Sequence, residues 1–225
     1  ELLSRGKKVC PLFGVAGVED YIFRVDWLHS VDQGVGSDFL GNLFELILTK
    51  LPGASKEARC KVLNKEMQAY YDVHRVEDRI SEFTPKNIRS EASKPPKLRG
   101  CNAASCRSFI LFGDLVATEF LDDDVPEEAA AKHAAHHLLM VYQSLSGSST
   151  FGTEVMQECS KGFALQYAAL RDRCEDPNWR IKPKMHLFLE MCSQDSFEHT
   201  GMKVLVVASA IKVRRRELGS APMLT

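Results

Sequence analysis

The chain lacks any hydrophobic run of membrane-spanning length. Its longest apolar stretch, residues 204–211, falls far short of the roughly 20 residues that a bilayer requires. Residues 1–8 carry no apolar core of a secretory signal. They also lack an initiator Met, so the chain is expected to begin mid-sequence, as a fragment would. No C-x-x-C occurs, and the seven cysteines are irregularly spaced. A disulfide scaffold is therefore not expected, and reduced thiols in an intracellular compartment are. Charge of one sign is also missing. The formal net charge is -1, which removes any global attraction to nucleic acid or to an anionic membrane and requires a local patch for such binding. There is no internal repeat and no long low-complexity segment.

What is present describes an ordinary globular chain. With 225 residues, 44% hydrophobic and 26% charged, it can bury a sizeable core in one large domain or two small ones. Residues 21–26 are rich in β-formers and predict a short strand. From Ser37 the period becomes helical. Phe39, Leu40, Leu43, Phe44, Ile47, Leu48 and Leu51 recur at three- and four-residue steps until Pro52-Gly53 stops them. Further helices are predicted at about 55–73, 103–121, 126–145, 153–173 and 185–192. The helix at 103–121 is expected to turn Phe109, Ile110, Phe112, Leu115, Val116 and Phe120 inward. The one at 153–173 carries Met156, Phe163, Leu165, Tyr167 and Leu170. Residues 202–213 suit strand or helix. Three parts result: an opening loop and short strand over 1–30, a helical domain over 31–182, and a C-terminal helix/strand edge with a basic tail over 183–225.

Four motifs bear chemistry. Asp26-Trp27-Leu28-His29 places a carboxylate and an imidazole three residues apart, able to hold a proton, bind a metal or fix a loop. The structural alternative is an N-cap Asp beside a half-buried His. His133, His136 and His137 share a helical face whose spacing can bind zinc. No Glu follows the first His, so the metalloprotease pattern fails, and His137 lies on the apolar stripe of Ala130, Ala134, Leu138 and Val141. Lys182-Pro183-Lys184-Met185-His186-Leu187 puts Pro183 at a helix start and His186 in its first turn, where backbone N–H groups disfavour the charged imidazole. Cations gather at Lys86, Arg89, Lys97 and Arg99, and again at Lys212, Arg214, Arg215 and Arg216. They suit either a solvated surface or phosphate contact and nuclear import. Neither set has the interleaved aromatics of a single-strand platform.

Three strings, in order, resemble one family. Asp26-Trp27-Leu28-His29-Ser30-Val31-Asp32-Gln33-Gly34 resembles the D-x-x-H-x-x-x-x-G block of CACTA-type and related DDE transposases. Lys184-Met185-His186-Leu187 resembles their P-x-M-H-L block. Ser196-Phe197-Glu198-His199, ahead of Gly201, resembles the string carrying their final acid. The helical stretch between the first two blocks is similar to the family's all-α insertion. The nearest look-alikes are transposon-derived open reading frames of protist genomes.

The resemblance implies an RNase H-like fold in which Mg2+ or Mn2+ ions activate water or a DNA 3′-hydroxyl for in-line attack on a phosphodiester. Asp26 and His29 would be an auxiliary catalytic pair. Glu198 would be the closing acid and a metal ligand, and the two leading aspartates would lie upstream of this chain. The fold expected is mainly α: the helical insertion and C-terminal edge of an RNase H-like α/β fold, with one or two short strands. The function expected is that of a transposase-derived fragment without catalytic activity alone, intracellular and able to reach the nucleus. It would retain DNA contacts through Lys86, Arg89, Lys97, Arg99, Lys184, Arg214, Arg215 and Arg216. Two alternatives stand beside it: a helical protein-interaction module with no nucleic-acid role, and a zinc-dependent hydrolase using His133, His136 and His137.

Overall fold

Trp27 begins a helical run that continues unbroken to Lys50. In the computed structural model, which describes residues 26–145, 152–175 and 177–193, this run has two parts. Leu28–Gly36 is a π-helical segment, and Ser37–Lys50 is helix α1. The helical period was expected only from Ser37. The earlier start has a physical cause. Val31, Val35 and Phe39 are spaced by four and all buried, so they extend the α1 stripe backwards. Gly34, Gly36, Ser30 and Asp32 are weak helix formers that hide the pattern, and the wider π turns accommodate them.

Six further helices follow: α2 (Lys56–His74), α3 (Pro85–Ile88), α4 (Ala103–Phe120), α5 (Pro126–Ser144), α6 (Thr153–Arg173) and α7 (Pro183–Met191). The chain is mainly helical, and no strand occurs among the described residues. The strand expected at 21–26 lies outside them except for Asp26, which is not extended into one, and 202–213 lies wholly outside.

Local chemistry explains the boundaries. Ser55 accepts from the Ala58 amide at 3.2 Å, and Asn102 accepts from the Ser105 amide at 2.8 Å, each capping its helix. Thr84 and Asn87 form a reciprocal capping box around α3. Pro126 and Pro183 occupy the first turns of α5 and α7, where a missing N–H costs nothing.

Helix α1 is the axis of the core. Phe39, Leu40, Leu43, Phe44, Ile47 and Leu48 are buried. Phe44 stands in one aromatic cluster with Phe83, Phe109 and Phe112. Phe39 stands in a second with Phe163 and Trp179, extended by Phe188 through Phe163. A single apolar core thus runs from Trp27 to Cys192. Two leucines depart from their expected places: Leu115 is 43% exposed and Leu165 is 70% exposed. Leu165 stands two positions from both Phe163 and Tyr167, about 200° around the helix from each, so burying those two turns it outward. Leu115 lies on the flank of the row formed by Phe112, Val116 and Ala117.

Gly41 permits the close crossing that joins residues 96–98 to α1. A Cβ there would fall 2.3 Å from the Lys97 Cα. The Leu98 amide then donates to the Ser37 carbonyl at 2.8 Å. The six cysteines among the described residues are free thiols, and Cys10 lies outside them. Among the described residues no helix is long and apolar enough to cross a membrane.

Candidate functional site

The D-x-x-H string forms the first turn of the long helical run. Trp27 is its anchor, buried with its ring edge-on to Tyr142 and Phe188 at centroid distances of 5.9 and 6.1 Å. With Trp27 facing the core, Asp26 and His29 face outward. The His29 side chain is 72% exposed. The Asp26 carboxylate accepts from the Leu28 amide at 3.0 Å and the His29 amide at 3.3 Å, and it contacts the His29 Nδ1. Burial works against ionisation here, but the His29 ring and the two amides outweigh it and hold the Asp26 carboxyl below the usual range. The Asp26–Nδ1 contact leaves Nε2 as the outward nitrogen. In the neutral ring that contact places the proton on Nδ1 and makes Nε2 an acceptor, and in the charged ring Nε2–H is a donor.

The π segment is held from three sides. Lys184 Nζ, on α7, donates to the His29 carbonyl at 2.6 Å. Lys97 Nζ donates to the Gln33 carbonyl at 2.9 Å, and the Cys106 thiol donates to the Asp32 carbonyl. These donors add a second bond to carbonyls of the π segment; the Asp32 carbonyl, for one, also accepts from the Ser37 amide. Gly34 leaves room for the Lys184 side chain: a Cβ at 34 would stand 2.7 Å from the Lys184 Cδ and make that side chain shift. The first two resembling strings, 150 residues apart in the chain, are therefore in direct contact.

Below the outward pair lies a buried charge centre that sequence reasoning missed. Asp32 is fully buried. Arg107 of α4 donates to one oxygen at 2.5 Å, and the Tyr142 hydroxyl of α5 donates to the other at 2.6 Å. Burial, and next the Asp32 charge, push the Tyr142 hydroxyl well above its ordinary pKa. Burial, followed by Asp32, does the same for the Cys106 thiol. A second buried carboxylate, Asp38, receives Lys182 Nζ at 2.9 Å and pairs with Lys97 at 3.6 Å. Only the stripe of Val31, Val35 and Phe39 could have signalled that Asp32 stands in a buried helix. Its partners, 75 and 110 residues away, have no local signal.

The other candidates are scattered by comparison. Lys86 and Arg99 are exposed. Arg89 bonds the Lys94 and Ala92 carbonyls and lies 3.7 Å from Glu45. The three histidines of α5 take separate places. His133 is exposed, His136 faces Asp114 at 3.6 Å, and His137 packs on Gly162 of α6. Among the described residues no group of three or more His, Cys, Asp or Glu side chains is placed to hold a metal ion. Glu198, Arg214, Arg215 and Arg216 lie outside the described residues. No protein-family model, curated protein or solved structure matches the chain.

Proposed function

We propose that this chain is a helical domain derived from a DDE transposase. In this reading it contacts the DNA backbone at the end bearing Asp26 and His29 and does not cut or join strands by itself. The helices from Ser37 to Arg173 correspond to the family's insertion, and residues from 183 onward to the edge of its RNase H-like part.

The observation that carries this reading is the joint between the two strings. Asp26 and His29 form an exposed acid–imidazole unit, and the Lys184 ammonium bonds the carbonyl of that same histidine. In its charged form an imidazole oriented through Nδ1 presents an Nε2–H donor to solvent, and a lysine ammonium retains donors beyond the one it spends on a carbonyl. Together they suit a phosphodiester oxygen.

The donor set does not suit a two-metal centre. Both Asp26 oxygens already accept hydrogen bonds, one from the Leu28 amide and the other from His29. A pair of Mg2+ or Mn2+ ions needs several converging carboxylates within about 4 Å. No step is therefore assigned to metal at Asp26.

The test is anisotropy of a fluorescent duplex titrated with the full chain at rising salt. We expect about micromolar affinity at low ionic strength, weakening steeply as salt rises, and a several-fold loss in His29→Ala. Absence of binding at low salt would favour the protein-interaction alternative and overturn the proposal. In parallel, the duplex is incubated with the chain and Mn2+. Cleavage that disappears in Glu198→Gln would contradict the claim that the chain cuts nothing alone.

A further inference from the structure

A polar cavity lies away from the Asp26–His29 unit, between the α2–α3 connection and the start of α4. Its volume is about 490 Å³, within the range of small-molecule sites. Arg79, Glu82, Asn87, Arg99 and Ser105 are among its walls, and Ile80 is its one apolar side chain. Such walls offer little to a hydrocarbon ligand. Two guanidiniums against one carboxylate leave the lining cationic.

The two arginines are held differently, and the difference matters. Arg79 is fixed. Its Nε donates to the Val76 carbonyl at 2.8 Å and its Nη2 to the Tyr71 carbonyl at 3.1 Å, and the guanidinium lies over the Tyr71 ring at 5.1 Å. Its Nη1 also stands 4.0 Å from the Asp72 carboxylate. A guanidinium carries five N–H donors, so the two hydrogen bonds and this long ion pair still leave donors for the cavity. Arg99 is fixed through its backbone. Its amide donates to the Asn87 carbonyl at 2.7 Å, and its carbonyl accepts from Asn87 Nδ2 at 3.3 Å. Gly100 then turns the chain at φ +74, a left-handed conformation that glycine adopts without strain. The backbone clamp carries an exposed side chain to the cavity wall. The α4 terminus is not what supplies the affinity, because Asn102 already caps it on the Ser105 amide.

We propose that this cavity binds a phosphate group, gripped between the Arg79 and Arg99 guanidiniums. Planar N–H pairs match phosphate oxygens, and one cation is pre-positioned by bonds the fold already makes. The proposal goes beyond the DNA-contact reading, at a site apart from Asp26 and His29, and it can fail separately, because it also admits free phosphate.

The experiment is a titration of the full chain with inorganic phosphate, followed by 15N NMR of amides and arginine Nε–H groups. Saturable shifts are expected at Arg79, Arg99, Gly100 and Ser105. Among the described residues the Arg99 side chain makes no bond that holds the fold, and Arg99→Ala should weaken binding about tenfold or more. Arg99→Lys should restore only part of it. A 5′-phosphorylated trinucleotide provides the second arm. Shifts at the same residues with tighter binding assign the site to nucleic acid, and equal affinity assigns it to the free anion. Shifts that never saturate, or an Arg99→Ala affinity within twofold of the parent, would overturn the site. Loss of the site with duplex binding intact would leave the Asp26–His29 reading standing.

Discussion

Asp32 is the residue on which the candidate site rests, although it touches no solvent. Its carboxylate ties the π segment to α4 through Arg107 and to α5 through Tyr142. Removing one partner of a buried pair leaves the other uncompensated, at a cost of about 3–5 kcal/mol. Arg107 is 23% exposed, so water relieves part of that, and Asp32→Ala should cost about 3 kcal/mol. Urea denaturation measures it, and a loss below about 1 kcal/mol would show that the network only fills space. Asp26 should behave differently because it is half exposed. Its carboxyl is lowered in the folded chain despite partial burial, held by His29 and two amides. A depressed carboxylate stabilises the fold above its unfolded pKa, and that contribution disappears as pH falls through the folded pKa. The effect should be confined to acid below about pH 4 and small, because solvent screens the pair. Carboxyl 13C titration checks it: Asp26 should move back toward the ordinary range in His29→Ala, and an unmoved midpoint would mean that the amides alone hold it.

Helices α5 and α6 form the most extensive helix pair of the fold, and His137 sits in their seam. A Cβ at Gly162 would meet the His137 ring at 2.7 Å, so Gly162→Ala should cost about 1–3 kcal/mol through overpacking. His137→Ala should relieve that clash, giving a coupling energy in a double-mutant cycle. Independent, additive effects would disprove the contact. Burial lowers the His137 pKa, and the neighbouring His136 and His133 lower it further against the opposing Glu158. A histidine depressed by folding leaves the unfolded state binding more protons. The stability is therefore present above an unfolded pKa of about 6.5 and lost as pH falls through the folded value. The parent chain should lose stability as pH falls below neutral faster than His137→Gln, and parallel curves would contradict this. The elements themselves were largely legible. The periods at Phe39–Leu48 and Met156–Leu170 marked α1 and α6, and Pro126 and Pro183 marked two starts. The π segment escaped because Gly34 and Gly36 break the propensity, while Lys97 and Lys184, which brace its carbonyls, lie far along the chain. The Asp26–His29 spacing was readable for the same reason that Asp32 was not: its partner lies three residues away, not 75 or 110.

At the scale of the whole molecule, one core joins the π segment to α7, so the residues that place the candidate site should melt together. Thermal unfolding followed by circular dichroism and by tryptophan fluorescence should give coincident transitions, because Trp27 and Trp179 are both buried in that core. Separated transitions would show that the site end folds independently. The central claim is that DNA contacts the end bearing Asp26, His29 and Lys184. Its most direct test is 15N NMR of the full chain titrated with a short duplex at low salt. The account predicts saturable shifts at His29, Ser30, Lys184 and His186, reversed by added salt. Saturable shifts confined to residues distant from that end, or none at low salt, would contradict it.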